Sequence, residues 1–229
     1  MAVVVAAGES RRMASRGDKP FLPLGGKPLL LHCLETLTRA PSISHCVLVC
    51  RSGQLETVRR QILDLMPDSD KIWLVPGGAM RSDSVWEGLQ ALPGNPAYVL
   101  IHDGARPLIT VEFVETLLAE ARIRKAVVPG LAVKATLKQV DENGRVLATL
   151  ERSSLREIQT PQVFECSLIL DCHRAAQEKG FKPTDDAALV EAAGHPVYVV
   201  KGDPFNLKVT SPEDLPVAER YLAELQKRS

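Results

Sequence analysis

Ala2-Val3-Val4-Val5-Ala6-Ala7-Gly8-Glu9-Ser10-Arg11-Arg12-Met13 opens the chain with a β-branched run and follows it with small residues and two arginines. Val3 to Val5 favour extended backbone. No polar residue alternates with them, so Ala2 to Ala6 reads as a strand buried on both faces, the habit of a parallel sheet. Ala7 and Gly8 are small enough for backbone N–H groups to approach a ligand closely. Arg11, Arg12 and, further on, Lys19 can supply positive charge to phosphate groups. On an arbitrary surface loop such a cluster reads first as solvated charge. Here it follows the first strand of a parallel sheet, where such sheets bind ligands. The loop carries neither GxxxxGK[ST] nor GxGxxG, so it is neither a Walker loop nor a dinucleotide fingerprint.

Outward from this strand the pattern repeats. Further apolar runs at 45–50, 71–75, 98–102, 126–128 and 196–200 are rich in Val, Ile and Leu and predict strands. Between them, amphipathic spacing predicts helices over 28–39, 55–65, 82–92, 111–122, 167–177 and 185–193. A last helix is expected over 212–225, with Thr210 or Ser211 as its cap, Pro212 in its first turn and Glu213 and Asp214 at its positive end. Strand-helix alternation predicts an α/β fold of one domain, residues 1–229, with a doubly wound, mostly parallel sheet of Rossmann-like type.

The segment 133–150 departs from this rhythm. Val133, Ala135, Leu137 and Val140 alternate with polar residues, as do Val146, Ala148 and Leu150, around the turn Asp141-Glu142-Asn143-Gly144. That is a β-hairpin, and a two-stranded hairpin is marginal alone. It is expected to protrude as an arm and pack on a second copy of the chain, giving a homodimer.

Composition narrows the function classes. Lys plus Arg equals Asp plus Glu at 28 each, so no bulk basic field draws the chain to nucleic acid or a membrane surface. Any anion must be held by locally placed residues. The start of the chain does not predict a signal peptide, and no stretch predicts a membrane span. Cys33, Cys46, Cys50, Cys166 and Cys172 match neither zinc nor disulfide spacing, and reduced buried thiols in a cytoplasmic protein are expected. His32, His45, His102, His173 and His195 are scattered without metal spacing. Trp73 and Trp86 read as packing residues.

The pattern A-A-G-x-[GS]-x-R-M followed by Lys19-Pro20 resembles the sugar nucleotidyltransferases. Further blocks narrow it: Ala79-Met80-Arg81-Ser82-Asp83-Ser84-Val85, His102-Asp103-Gly104-Ala105-Arg106-Pro107, Thr160-Pro161-Gln162-Val163-Phe164, Thr184-Asp185-Asp186-Ala187 and Asn206-Leu207-Lys208-Val209-Thr210. With Arg152, and in this order, they are similar to the 2-C-methyl-D-erythritol 4-phosphate cytidylyltransferase family. The resemblance covers nearly the whole chain.

It implies a Mg²⁺-dependent transfer of a cytidylyl group from CTP to a polyol phosphate, with Ala6, Ala7 and Gly8 holding the nucleotide through backbone groups. Arg12 and Lys19 would grip the phosphates and act catalytically. Ser84, beside Gly77, would hydrogen-bond the base. Asp103, with Gly104, would meet the ribose or Mg²⁺; the residues themselves also read as a structured turn in which Arg106 pairs with Asp103. Arg152 and Lys208 would hold the second substrate's phosphate, with Thr136 on the arm and Thr160 and Asp185 around the polyol; Asp185 reads equally well as a helix cap. A phosphate monoester with a second pKa of about 6 is already largely dianionic at neutral pH, so no general base is required.

The chain departs from the family's pattern at Ser10 and Gly104, and at Ala135, where the arm usually carries a carboxylate. Rivals are a cytidylyltransferase for ribitol 5-phosphate, an oxidoreductase, which lacks its glycine fingerprint here, and a non-catalytic nucleotide-binding protein, which would not need Arg12, Lys19, Arg152 and Lys208 intact.

Overall fold

The structure, a computed structural model, describes residues 1–8 and 18–228, so Arg12 and the rest of 9–17 lie outside the described residues. The strands are β1 (Ala2–Val5), β2 (Pro23–Leu24), β3 (Lys27–Pro28), β4 (Cys46–Cys50), β5 (Ile72–Pro76) and β6 (Tyr98–Asp103). They continue with β7 (Ala126–Ala132), β8 (Lys138–Val140), β9 (Val146–Thr149), β10 (Arg156–Ile158), β11 (Gln162–Glu165) and β12 (Tyr198–Lys201). The helices are α1 (Leu29–Arg39), α2 (Leu55–Gln61), α3 (Arg81–Gln90), α4 (Val111–Arg124), α5 (Cys166–Glu178), α6 (Asp186–Ala192) and α7 (Asp214–Gln226).

β10 and β11 behave as one interrupted strand. Gly130 of β7 pairs with both Ile158 of β10 and Lys201 of β12, and Val127 pairs with both Val163 of β11 and Tyr198 of β12. β10 and β11 therefore share the edge of β7 that faces away from β12. The order across the sheet is β5-β4-β1-β6-β11-β7-β12, parallel except for β11 and its extension β10. The chain runs outward from β1 to β4 and β5, then returns with β6 on the other side of β1. This reversal opens a crevice at the carboxyl ends of β1 and β6.

Both faces of the central strands are covered, which is why β1, β4 and β6 lack alternation. Ala2 and Val4 pack with α1 and α4, while Val3 packs with α3, α5 and α6. Gly88 brings α3 close: a Cβ there would lie 2.4 Å from a Val3 methyl. A third cluster joins Leu22, Leu24 and Leu29 to Leu108, Val209 and Leu215, seating the segment around Lys208 beside the start of α1.

Two local expectations are corrected. The helix expected over 55–65 ends at Gln61, where Ile62 leaves helical geometry (φ −122°, ψ −63°), and a short 3₁₀ turn covers Leu63–Leu65. At the start of α7 the roles of cap and capped are reversed. Asp214 reaches back and accepts from the Thr210 and Ser211 amides and the Thr210 hydroxyl.

The arm forms as expected. Gly144 takes a positive φ of 82°, and the Asp141 carboxylate accepts from the Asn143 and Arg145 amides, closing the turn. β8 and β9 pair with each other, apart from the main sheet. All five cysteines are buried, and none is joined in a disulfide.

Candidate active site

Three loop starts extend the sheet beyond its carboxyl ends: the Ala6 amide donates to the Val49 carbonyl, Gly77 to Cys50 and Gly104 to Val5. Gly77 lets the loop after β5 pass close to β1, since a Cβ there would lie 2.5 Å from the Ala7 Cβ. Together these loops enclose a cleft of ≈ 410 Å³. Ala6, Ala7, Gly8, Lys19, Gly78, Ser84, Asp103, Gly104 and Lys208 all line it, so residues spread over 200 positions of sequence meet in one place. Gly77 stands just behind this wall. The buried Ser84 hydroxyl donates to the Met80 carbonyl (3.1 Å).

Asp103 ends β6 and is held between two cations. The Lys208 Nζ donates to its Oδ2 (2.6 Å) and the Arg81 Nε to its Oδ1 (3.0 Å). Arg81 also donates to Oδ2 of the buried Asp186 (2.9 Å). The result is a chain of alternating charge, Asp186–Arg81–Asp103–Lys208, running from the core to the cleft. Burial opposes ionisation of Asp103, but the charges of Arg81 and Lys208 outweigh it and hold the carboxyl well below the usual carboxylate range. Asp186 goes the other way: its deeper burial raises it despite Arg81. The pair expected between Asp103 and Arg106 is replaced by these contacts. Arg106 is buried and donates to the Asn206 carbonyl (2.7 Å) instead of pairing with the carboxylate.

A second layer of polar residues supports the first. The Asp103 amide donates to the Thr160 hydroxyl oxygen (3.0 Å), which lies 3.2 Å from His102 Nδ1. His102 Nε2 lies 3.0 Å from the Arg106 carbonyl, which can only accept. That fixes the proton on Nε2 and leaves Nδ1 to accept from Thr160. Burial pushes the imidazole down to about 4, so His102 is neutral at neutral pH. The Asn206 side-chain amide donates to the Thr160 carbonyl (2.7 Å), tying the segment that carries Lys208 to the same layer. Thr160 therefore uses its hydroxyl inside the protein, beneath the cleft. Asp185 likewise caps α6 through the Ala188 amide (3.0 Å) and accepts from Gln162 (2.8 Å). Neither lines the cleft of this chain.

Arg152 and Thr136 are exposed at the base and on the edge of the arm, and they too lie apart from the cleft lining. The Arg152 guanidinium donates to the Lys134 carbonyl (3.0 Å). Arg81 and Arg51 line the cleft without a role predicted for either. Arg81 belongs to one of the family-like blocks, but nothing in the linear sequence marks which carboxylates it meets. Trp86 stacks on His173 (5.7 Å, 28°) and is a packing residue, as expected. Among the described residues no cluster of three His, Cys, Asp or Glu could hold a metal, and no helix is long and apolar enough to cross a membrane.

The model of the 2-C-methyl-D-erythritol 4-phosphate cytidylyltransferase family matches residues 1–224. The protein of that name from Desulforamulus reducens is 43% identical over 97% of this chain and 95% of its own length. The chloroplastic one from Oryza sativa subsp. japonica is 38% identical over 97% of this chain and 74% of its own. Among solved structures, 4-diphosphocytidyl-2C-methyl-D-erythritol synthase from Anaerococcus prevotii superposes with a TM-score of 0.85 at 32% identity, covering 97% of this chain and 95% of that one. The 2-C-methyl-D-erythritol 4-phosphate cytidylyltransferase from Thermus thermophilus gives 0.78 at 32% identity, covering 98% of each.

Proposed function

The chain belongs to the 2-C-methyl-D-erythritol 4-phosphate cytidylyltransferase family, and from that premise we propose that both of its substrates meet at the cleft between β1 and β6. The enzyme transfers a cytidylyl group from CTP to 2-C-methyl-D-erythritol 4-phosphate in non-mevalonate isoprenoid synthesis. It gives 4-diphosphocytidyl-2-C-methyl-D-erythritol and pyrophosphate. The observation that carries the site assignment is the lining of this cleft. Lys19, Arg51, Arg81 and Lys208 converge on it with Asp103 as the acid among the described lining residues.

In this reading Ala6, Ala7 and Gly8 face the triphosphate, and Ser84 with the Gly77–Gly78 backbone faces the base. A phosphate oxygen of methylerythritol phosphate attacks the α-phosphorus of CTP, the bond to the β-phosphate oxygen breaks, and pyrophosphate leaves. No proton need be removed from the nucleophile, so the residues act by alignment and charge. Lys19 and Arg12 stabilise the growing charge on the α-phosphate and leaving group. Lys208 is poised between Asp103 and an incoming phosphate. Asp103 orients Lys208 and Arg81.

Mg²⁺ supplies further charge neutralisation when bound to the triphosphate. Both oxygens of Asp103 already accept from a cation. The donor set therefore suits an ion held mainly by phosphate oxygens, with at most this one carboxylate.

The experiment is pyrophosphate release from each nucleoside triphosphate with methylerythritol 4-phosphate or ribitol 5-phosphate, with Mg²⁺ or with EDTA. Turnover is expected with CTP, methylerythritol phosphate and Mg²⁺. Turnover with ribitol 5-phosphate in preference would overturn the polyol assignment, and full activity in EDTA would overturn the metal.

We also assign a homodimer built through the 133–150 arm, which would bring Arg152 and Thr136 to the partner's polyol phosphate. The arm leaves Val140, Val146 and Leu147 51%, 54% and 52% exposed, with Leu137, Leu150 and Ile158 nearby. Covering the exposed half of one such side chain contributes roughly 1 kcal/mol. Replacing 137–150 by a short Gly-Ser turn is expected to give monomers in light scattering, and a dimer that survives this change refutes the arrangement. We also place the protein in the cytoplasm, where five unpaired thiols such as these would stay reduced.

A further inference from the structure

Asp18, Arg51 and Gln54 close a triangle at the rim of the cleft. The Arg51 guanidinium donates to one Asp18 carboxylate oxygen and the Gln54 amide donates to the other. The triangle closes where Arg51 Nε donates to Gln54 Oε1 (3.0 Å). Arg51 is the first residue beyond β4, all of whose residues are buried, so the triangle is rooted in the rigid part of the sheet. Asp18 directly precedes Lys19. Its backbone carbonyl accepts from the Phe21 amide (3.0 Å), closing the 3₁₀ turn Lys19–Phe21. On the far side of Lys19, Pro20 is buried and the Leu22 carbonyl accepts from the Leu29 amide (2.8 Å) at the head of α1. Lys19 is thus strung between two anchors, the triangle on β4 before it and the start of α1 after it.

Asp18 and Arg51 are partly exposed, and ion pairs of this kind contribute little to global stability. Their geometric effect can be far larger, because displacing a catalytic group by about 1 Å is enough to slow a reaction roughly 100-fold. We propose that Arg51 and Gln54 are positioning residues for the transfer reaction, holding Asp18 so that the Lys19 ammonium is delivered to a fixed point on the cleft wall. The proposal rests on the reading that Lys19 acts on the triphosphate. Arg51 itself lines the cleft, but in this arrangement its charge is spent on Asp18 and the orientation of the turn.

The test compares Lys19→Ala, Asp18→Asn, Arg51→Met, Gln54→Leu and the double variant Asp18→Asn/Arg51→Met in the full-length enzyme. CTP is varied at saturating methylerythritol phosphate, and Tm is read alongside. Asp18→Asn and Arg51→Met are each expected to lower kcat about 10-fold, with the CTP KM within about 3-fold. The double variant should be no slower than the slower single one, and Tm should stay within about 2 °C of the parent. Arg51→Lys should recover part of the rate. Asp18→Asn keeps the Arg51 charge and removes only its anchor. Parental kcat in that variant, additive losses in the double variant, or a KM effect without a kcat effect would each overturn the proposal. A rate loss accompanied by a proportionate fall in Tm would also overturn it. Lys19→Ala separates the two layers: parental kcat there refutes the role of Lys19, whereas a collapse there with Asp18→Asn unaffected refutes the positioning alone.

Discussion

Lys19→Ala is expected to lower kcat by about 10²–10³-fold while leaving CTP affinity within several-fold of the parent. Lys19 opens a short turn at the rim of a cleft whose other walls are the first loop, the end of β6 and the segment around Lys208. In the proposed arrangement its charge is fixed in space before the substrate arrives. In the proposed ground state the triphosphate charge would be shared among several cations, with Mg²⁺ if bound, so one ammonium would add modestly to binding. As the bond to the leaving pyrophosphate lengthens, charge gathers on oxygens that the fixed ammonium already faces, and the interaction strengthens there. Losing it should therefore appear in kcat. Steady-state kinetics combined with equilibrium CTP binding separates the two quantities. Equal losses in both would assign Lys19 to uniform binding and remove it from the chemical step.

The second large effect is on stability. Arg81→Met should destabilise the protein by about 3–5 kcal/mol at neutral pH, because it leaves the carboxylate of Asp186 buried without its cation. Asp186 is 2% exposed and accepts from Arg81 at 2.9 Å. Burial already raises its pKa even with Arg81 present. Without Arg81 it rises further, and the folded protein binds a proton that the unfolded chain releases above its ordinary carboxylate range. Where the folded state holds more protons, stability rises as pH falls. The variant's deficit should therefore shrink between pH 8 and pH 5, by up to about 1.4 kcal/mol for each pH unit over which the folded state holds that extra proton. The comparison must be made against the parent at each pH. Burial, with the Arg81 charge added to it, depresses His102 and His173 to about 4, so both cost stability as pH falls below the ordinary imidazole range. The variant lacks that charge and bears less of this cost, which shrinks its deficit in the same direction. Urea unfolding at the two pH values reads the deficit, and one that stays constant would count against an uncompensated Asp186. Arg81→Met/Asp186→Asn should regain much of the stability while remaining slow, since Asp103 still lacks one of its two cations.

Much of the fold was readable because the chain advertises it. The strands β1, β4, β6 and the start of β7 carry Val, Ile and Leu runs because helices cover both sides of the sheet there, and the edge strands β5 and β12 carry similar runs while remaining partly exposed. Strands β10 and β11 carried no such mark. Arg156 to Ile158 is exposed, Gln162 to Glu165 is only four residues long, and each is defined by its long-range pairing, β10 with β7 and β11 with β6 and β7. Ile62 looked helical, yet the chain leaves the helix there.

The candidate site divides in the same way. The loop Ala6-Ala7-Gly8, Lys19, Ser84, Asp103 and Lys208 were legible as motifs, and they meet in one cleft. Their mutual contacts were not. Local proximity suggested that Asp103 would pair with Arg106, three residues away. The carboxylate instead takes Arg81 and Lys208, 22 and 105 residues distant, because β1, β6, α3 and the 206–210 segment converge at the reversal of strand order. The clasp of Asp18 on Arg51 and Gln54 likewise joins residues 33 and 36 positions apart and had no counterpart in the linear text.

By itself, the order of residues determined the α/β class, the protruding arm and the family, and through the family the reaction. Those properties follow from local pattern: hydrophobic period, turn chemistry and motifs read within a few residues of one another. Which charges neutralise one another, which hydroxyl faces inward and which residues clasp Asp18 were decided only by the tertiary structure. Each depends on strand pairing across long separations, where a carboxylate takes whichever cation the fold brings within about 3 Å.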